Sequence, residues 1–345
     1  MVSRVQTGQD APGAVIAAAT YQQLPSSKSV ETQTLIGEGR KLLTFSDSRQ
    51  DAAFFAPYLE RTYSKMIQRN LIYRTLTKKV TPTQFEDLLQ PIQQLATDFR
   101  VLDPMKSSES RRTEVSAWLC RELLATDRRL SLSGVGLVDI RPSLRAEITA
   151  PMCLTSAGMT PKDAMQTMQF LLNTLREQAV ITIPDGVDIE DEIFAPRNVV
   201  VGMREFSEKG ILGWRPHSGK SNRRHAFLAK LRDASVLNAD PDVLLQSLWF
   251  DELRNPKSLW SKFLVDSKNR QGISVNQLDY RQFEFASVST TDHVAQCGRC
   301  KQISWTNVAN VCTRHQCNGT LNKILPVNAR KAGYRNQYQY SAPNG

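Results

Sequence analysis

Apolar residues at helical spacing dominate the middle of the chain. They recur at positions i, i+3 and i+4 over residues 84–99, 110–126 and 161–178, which predicts three amphipathic helices. Pro91 lies inside the first of them and predicts a kink or a split there, because proline removes a backbone donor. Thr160 followed by Pro161 is typical of an N-cap and a first helical residue, so the third helix is expected to begin at that point.

Other patterns in the same region predict further helices and strands. Helices are expected at 243–253 and 258–265, while the β-branched run 179–183 and the alternating residues 272–285 predict strands or a hairpin. Helices followed by a strand pair favour a winged-helix-like fold. A helical packing insert with no role in reading a nucleic-acid groove is the alternative. We therefore predict that residues 81–290 are a mainly helical insertion.

Near the N-terminus the pattern changes to strand, polar turn and helix. Residues 1–39 are rich in Gly, Ser, Thr and Gln and form a lead-in segment. Residues 40–46 are a short apolar run that predicts a buried strand. Polar residues 47–51 follow, and then an amphipathic stretch that reaches about residue 76. A strand that runs into a helix through a polar loop is the half-unit of an α/β domain, so this fold class is predicted here.

Four of the six cysteines form a pattern that is typical of a zinc site. Their spacing is C-x2-C, eleven residues, C-x4-C, and two such knuckles can close a tetrahedron of thiolates around one Zn²⁺. Residues 291–325 are therefore predicted to form a small zinc ribbon with a structural metal ion. A disulfide pair is one alternative, and replacement of one ligand by His315 is another. Gly298 and Gly319 are expected to adopt positive φ in the knuckles. The predicted ligands are Cys297, Cys300, Cys312 and Cys317.

Charge and composition narrow the class of partner and compartment. Lys and Arg number 44 against 34 Asp and Glu, and the net charge of +10 favours a polyanionic partner. Cys120 and Cys153 stand alone in apolar sequence and are predicted to be buried thiols. This usage of cysteine is typical of a cytoplasmic protein with a metal site. No stretch of about 18 apolar residues occurs, and residues 1–19 lack the pattern of a secretory signal, so no membrane partner is expected.

A basic loop around residues 214–225 is a candidate for contact with a nucleic-acid backbone. It contains Gly-Lys-Ser at 219–221, but a tryptophan stands where a phosphate-cradling loop needs its first glycine, so nucleotide binding is not predicted. The loop offers cations for phosphates and an aromatic ring to stack on a base. An ordinary solvated loop is the alternative. The same two interpretations apply to Arg299, Lys301 and Arg314 beside the cysteines. The candidates in the loop are Trp214, Arg215, Lys220, Arg223 and Arg224.

Residues 42–60 carry the most specific motif of the chain. Their sequence is LLTFSDSRQDAAFFAPYLE, which resembles motif IV of large bacterial superfamily-two DEAD/DEAH-box helicases, of the mitomycin-repair type and their relatives in phage defence. In that family this segment is the first strand and helix of the second RecA-like domain, and a long helical insertion and a four-cysteine zinc ribbon follow it. The resemblance implies that residues 40–80 begin this RecA-like domain and that 326–345 are a truncated return to it.

The resemblance implies DNA binding as part of an ATP-driven translocase in repair or defence. The Walker A loop, DEAD/DEAH box and arginine finger of such a helicase are not found, so ATP and Mg²⁺ are expected to act only in a complete parent protein, and no catalytic residue is predicted. The expected partners are DNA, with RNA as the alternative, and the remaining helicase domains on the same or a neighbouring polypeptide. A non-enzymatic zinc-ribbon adaptor for nucleic acid or protein is the second hypothesis.

Five polar residues, beginning with the last residue of the predicted strand, lie at its carboxyl end, where α/β sheets place ligands. By resemblance, Arg49 and Gln50 face the nucleic-acid path or the cleft between the motor domains. The alternative is that Asp47, Arg49 and Asp51 cap and brace the following helix. The candidates at this point are Ser46, Asp47, Ser48, Arg49 and Gln50.

Overall fold

The computed structural model describes residues 20–21, 23–29, 31, 39–41, 49–124, 131–188, 199–204, 211–268, 272–289 and 292–325, with backbone alone for 49–62. Residues 42–46 of the predicted strand 40–46, the candidates Ser46, Asp47 and Ser48 and the predicted segment 326–345 lie outside the described residues. So does most of the lead-in 1–39.

The chain divides into two compact units, one of residues 1–78, 88–118 and 336–345 and one of residues 79–87 and 119–335. Helices alternate with short strands along it, which confirms the α/β character. The helices with described bounds are α1 (Arg49–Thr77), α2 (Phe85–Asp98), α3 (Ser108–Leu123), α4 (Met152–Ser156), α5 (Pro161–Arg176), α6 (Arg223–Asp233) and α7 (Pro241–Ser247). A π-helical turn (Leu248–Leu253) continues α7, and 3-10 turns cover Leu259–Phe263 and Tyr280–Gln282.

Apolar burial holds the helices of the first unit in place. Leu88, Leu89, Ile92 and Ala96 of α2 are each at most 2% exposed. Because these side chains pack on both sides of Pro91, α2 stays one helix through the proline, and the predicted split does not occur.

The strands that the structure describes in the second unit form three small sheets. The first has the order β1-β7-β2 and is antiparallel, the second has the order β4-β3-β6-β5, and the third has the order β10-β8-β9. In the second sheet β3 and β4 are parallel, while β5 and β6 form an antiparallel pair. The strands are β1 (Thr83–Gln84), β2 (Val138–Pro142), β3 (Val200–Arg204), β4 (Ile211–Arg215), β5 (Leu264–Lys268), β6 (Ser274–Leu278), β7 (Phe283–Ser287), β8 (Val294–Cys297), β9 (Ile303–Ser304) and β10 (Leu321–Ile324).

Several predictions for the insertion need correction. Residues 272–285 do not form a hairpin, because β6 and β7 belong to different sheets and a 3-10 turn separates them. The run 179–183 contributes one isolated bridge, from Ile181 to Leu278, and the expected helix at 258–265 is a 3-10 turn followed by β5. The insertion 81–290 thus contains sheets as well as helices.

The predicted start of α5 is confirmed. The hydroxyl of Thr160 accepts a hydrogen bond from the amide of Asp163 at 3.1 Å and donates one to its carboxylate at 2.7 Å. Pro161 is the first helical residue. The buried face of α5, which includes Met168, Leu171 and Leu175, lies in the core of the second unit.

Asp139 of β2 is a carboxylate held away from water, with a side chain only 13% exposed. Burial raises its pKa to about 6, although the charges of Arg141 and Arg176 oppose this. The folded state therefore holds the proton more tightly than the unfolded state, whose pKa is about 3.9. The charged form costs stability, and this cost is absent below about pH 4 and complete above about pH 6.

Replacing Asp139 by asparagine is expected to raise the free energy of unfolding at about pH 7.5 by about 1–3 kcal/mol, since one pKa unit corresponds to about 1.36 kcal/mol. Near pH 4 no gain is expected from loss of the charge. Urea unfolding at both pH values measures the difference. Asp185→Asn, at an exposed turn residue, is the control. An equal gain for Asp139→Asn at both pH values would contradict the assignment.

Candidate metal centre

Four cysteine sulfur atoms converge in the ribbon. The Sγ atoms of Cys297, Cys300, Cys312 and Cys317 all lie within 4.8 Å of one another. The Cys297–Cys317 and Cys300–Cys312 sulfur pairs are each 3.7 Å apart. A disulfide bond is about 2.05 Å long, whereas a tetrahedron with metal–sulfur bonds of about 2.3 Å has edges of about 3.8 Å. The cluster could therefore hold a metal ion such as zinc, and its spacing does not fit the disulfide alternative. His315 is not a member of the group.

The ribbon's sheet brings the two knuckles together. Cys297 is the last residue of β8 and lies opposite Leu321 of β10. The backbone turns back at once, since the amide of Lys301 donates to the carbonyl of Cys297 at 3.0 Å. The second knuckle joins the same edge, because the amide of Gly298 donates to the carbonyl of Thr320 at 2.9 Å. Backbone pairing thus brings together the two turns that carry the four thiols.

The backbone around Cys297 favours a thiolate. The amide of Cys300 lies 3.5 Å from the Cys297 sulfur atom and donates to it. Burial raises the pKa of the Cys297 thiol, but amide hydrogen bonds from Cys300 and Arg299 and bonds from neighbouring thiols outweigh burial and bring it to about 7. Burial raises the pKa of Cys300 and of Cys312. Metal binding would displace the protons of those two thiols, because only the thiolate is a ligand.

Gly319 leaves room for the sulfur of the first knuckle. A Cβ atom at this position would lie 2.5 Å from the Cys297 Sγ and 2.7 Å from the Cβ of Arg299. The requirement for glycine is therefore steric. The expectation of positive φ at Gly298 and Gly319 is wrong, since neither is among the positive-φ residues.

The left-handed position of the first knuckle falls on Lys301, which has φ of 59°. A side chain with Cβ is strained in this region, by about 1 kcal/mol. Lys301→Gly is therefore expected to raise the free energy of unfolding of the zinc-loaded chain by about 0.5–1 kcal/mol, because the strain is relieved at a small cost in unfolded-state entropy. Thermal unfolding measures it. Lys301→Asn should give a smaller gain, and a loss of stability in both variants would contradict the strain argument.

Lys230 joins the second knuckle to α6. Its Nζ donates to the carbonyl oxygens of Arg314 at 2.6 Å, Cys317 at 2.8 Å and Cys312 at 3.2 Å. These three bonds use all the donors of the ammonium group. They fix the backbone that carries two of the four sulfur atoms, and they place a positive charge beside the cluster.

Lys230→Met is expected to lower zinc affinity about 10–100-fold, the usual effect of losing a group that orients a metal ligand. The methionine keeps the apolar stem but cannot hold the three carbonyl groups. Competition with a chromogenic chelator measures the affinity. Arg232→Met removes an exposed charge from the same helix and should leave zinc affinity unchanged. Equal affinities in the parent chain and Lys230→Met would show that the knuckle does not need the lysine.

Trp305 makes a second attachment of the ribbon to the rest of the second unit. Its Nε1 donates to the hydroxyl of Ser133 at 2.9 Å, and its side chain is half-buried. In the same region the amide of Val288, just before the ribbon, donates to the carbonyl of Leu137 at 2.9 Å. The ribbon is therefore packed into the second unit at two places, α6 and the turn near residue 133.

Two candidates in the basic loop belong to the core and not to a surface. Trp214 is fully buried, and its Nε1 donates to the carbonyl of Leu245 at 2.8 Å. Arg224 is 1% exposed and lies over the Trp214 ring at 5.4 Å. The prediction that this tryptophan offers a ring for stacking and this arginine a contact for phosphate is wrong, because the indole and the guanidinium pack against each other inside the fold.

Arg224 is held by neutral acceptors. Its guanidinium donates to the carbonyl oxygens of Gly213 at 2.5 Å and Trp214 at 2.9 Å and to the hydroxyl of Thr174 at 2.9 Å. Burial, with a smaller contribution from the charge of Arg223, lowers its pKa to about 9. The group stays charged at neutral pH and links β4, α5 and α6.

The remaining cations of the loop differ in exposure. Arg215 pairs with Asp242 at 2.9 Å, and Arg223 pairs with Glu177 at 2.7 Å. Lys220 is exposed. Arg49 and Gln50 begin α1, but the structure describes only their backbone. The loop therefore does not present the five-residue binding surface that the sequence predicts.

The two cysteines outside the cluster have raised pKa values because they are removed from water. Cys120 is fully buried, as predicted, and Cys153 is half-buried. Burial raises the pKa of both thiols, which makes them poor nucleophiles and poor ligands.

Comparison of the chain with protein-family models, with curated proteins and with solved structures finds no match in any of the three. The class of site rests on its own geometry, a closed group of four thiols that could bind a metal ion. Among the helices that the structure describes, none combines the length and the apolar character that a membrane span requires.

Proposed function

We propose that this chain is a zinc-ordered, nucleic-acid-binding part of an ATP-dependent DEAD/DEAH-type DNA helicase. The observation that carries the proposal is the cluster of four thiols within 4.8 Å in a chain of net charge +10. Four protein ligands close the coordination shell of zinc and leave no position for a reacting water molecule. The metal would therefore supply shape to the ribbon and no chemistry.

The basic surplus supports a polyanionic partner. Cationic side chains that approach phosphates release condensed counterions, which is the main source of sequence-independent affinity for DNA. A helicase needs contacts of this kind, because it moves along a strand whose sequence varies. The proposal therefore includes DNA as the ligand. A role of the parent protein in repair or phage defence is what the resemblance of residues 42–60 implies.

The helicase part of the proposal draws on the resemblance of residues 42–60. On this interpretation residues 40–80 begin the second RecA-like domain, and α1 (Arg49–Thr77) is its first helix, which begins within the predicted polar turn 47–51. The insertion would be winged-helix-like, with the antiparallel pair of β5 and β6 as the wing. ATP and Mg²⁺ would bind only in the complete parent helicase.

Zinc content and DNA binding of the purified chain test the proposal together. We expect one zinc per chain by elemental analysis and binding of single- or double-stranded DNA that weakens steeply between about 50 and 200 mM salt. A chain stripped of metal with a chelator is the control and should lose binding in proportion to its zinc. One zinc without any DNA binding would overturn the proposal and favour a zinc-ribbon adaptor for a protein partner.

A further inference from the structure

The four cations of the ribbon are all exposed. Residues 294–325, which begin with β8, contain Arg299, Lys301, Arg314 and Lys323 but no Asp or Glu, and the predicted ribbon 291–325 adds only Asp292; the chain average of 34 acidic residues in 345 would give about three in a stretch of this length. All four cations are exposed to solvent. Among the residues that the structure describes, none of them makes an ion pair. Their charges are thus available to an external partner.

Three of these cations surround the thiol cluster. Arg299 lies between the two cysteines of the first knuckle, Lys301 follows its second cysteine, and Arg314 lies between the cysteines of the second knuckle. Since the sulfur atoms of both knuckles lie within 4.8 Å of one another, the two turns meet at the cluster. We call Arg299, Lys301 and Arg314 the knuckle rim.

The rim cations do more than neutralise the negative charge of the metal centre. Four thiolates and one Zn²⁺ would carry a net charge of about −2, and Lys230 already places an ammonium group against this centre. The rim cations instead lie in solvent. Lys301 keeps a long cationic side chain at φ of 59°, where glycine would be free of strain, and strained residues of this kind cluster at functional positions.

We propose that the knuckle rim is the surface of this chain that binds the phosphate backbone of nucleic acid. This inference rests on the proposed function and names its contact surface. It moves that surface away from the loop 214–224, where Trp214 and Arg224 are buried and Arg215 and Arg223 are ion-paired.

The surroundings of the rim favour phosphate over a protein partner. Protein interfaces have an apolar centre with aromatic residues. Of the large apolar side chains that the structure describes as exposed, only Leu325 belongs to the ribbon, and it follows β10 and not a knuckle. The neighbours of the rim are polar and exposed, such as Gln316, Asn318 and Thr320, and amides and hydroxyls donate to phosphate oxygens.

The rim is expected to recognise the phosphate backbone and not the base sequence. Stacking on bases needs an exposed aromatic ring. The ribbon's Trp305 is half-buried and bound to Ser133 through its Nε1. Binding is therefore expected to depend on salt and to vary little among DNA sequences of equal length.

The test compares two triple variants of the full chain with equal net charge. The rim variant is R299Q/K301Q/R314Q, and the matched control is K257Q/K262Q/K268Q, which removes three exposed lysines elsewhere in the second unit. Binding of fluorescein-labelled single-stranded DNA of about 20 nucleotides, longer than the site of a small domain, is titrated by anisotropy across a salt series. Zinc content of each variant verifies that the ribbon is intact.

The rim variant is expected to bind at least about tenfold more weakly and to reduce the slope of log affinity against log salt by about two to three, one for each lost phosphate contact. The control should stay within about twofold of the parent chain, since overall charge alone contributes little at physiological ionic strength. Equal weakening in both variants, or no weakening in the rim variant, would overturn the inference about the rim. The proposed function would still stand in that case, provided that the parent chain binds DNA. A parent chain without DNA binding would overturn both.

One further arm separates nucleic acid from an acidic protein. Poly-L-glutamate at the same concentration of negative charge should displace the labelled DNA much less well than unlabelled DNA does. Equal displacement would assign the rim to acidic polypeptides and overturn the inference.

Discussion

Replacing Cys312 by serine is expected to abolish stoichiometric zinc binding and to unfold the ribbon. Cys312 is buried, its sulfur lies 3.7 Å from that of Cys300, and it belongs to the four-thiol cluster. Three thiolates and a hydroxyl do not hold zinc as four thiolates do, and the binding free energy of a structural zinc, about 10–16 kcal/mol in zinc-finger peptides, is largely folding free energy. Elemental analysis measures zinc, and hydrogen exchange of residues 294–325 measures the fold.

Cys153→Ser is the matched control for this experiment. It also removes a thiol, but Cys153 lies outside the cluster and is half-buried. The control should retain one zinc per chain and full protection of the ribbon. Zinc binding at full stoichiometry and parent affinity in Cys312→Ser would show that this cysteine is not a ligand.

Replacing Arg224 by alanine is expected to lower the free energy of unfolding by about 3–5 kcal/mol, because each buried acceptor that loses its donor costs about 1–3 kcal/mol. The substitution leaves the carbonyl oxygens of Gly213 and Trp214 without their donor and opens a cavity beside the Trp214 ring. Buried acceptors without partners and lost packing are among the few causes of effects this large. Urea unfolding monitored by tryptophan fluorescence measures the change.

Arg223→Ala tests whether the effect belongs to the buried position. Arg223 is the preceding residue of α6 and makes a partly exposed ion pair with Glu177 at 2.7 Å. Its loss should cost about 1 kcal/mol or less, as for other ion pairs near the surface. Similar losses in the two variants would contradict the role assigned to Arg224.

The cluster of four thiols could be predicted from the sequence because its pattern is local. The spacing of Cys297 to Cys317 fixes two short turns, and few other structures need four thiols in such a pattern. The start of α5 at Pro161 was predictable for the same reason, since capping depends on residues three positions apart.

The exposure of the side chains in the basic loop could not be predicted, because burial depends on partners that are far away in sequence. Nothing near Arg224 indicates that Thr174 will accept its hydrogen bond. Lys230 was missed in the same way, since its acceptors are the carbonyl groups of a knuckle more than 80 residues away. The alternation at 272–285 predicted strands correctly but could not show that they belong to two sheets.

The attachment of the ribbon through Lys230 and Trp305 has a consequence for the whole second unit. If unfolding of the unit releases the metal, mass action adds RT ln(1 + [Zn]/Kd) to its stability, about 1.4 kcal/mol for each tenfold rise in free zinc above Kd. The melting temperature of the unit would then follow the concentration of free zinc. Because the ribbon is attached through α6 and the turn at Ser133, the concentration of free zinc would determine the folded fraction of the second unit, including regions that do not contact the metal.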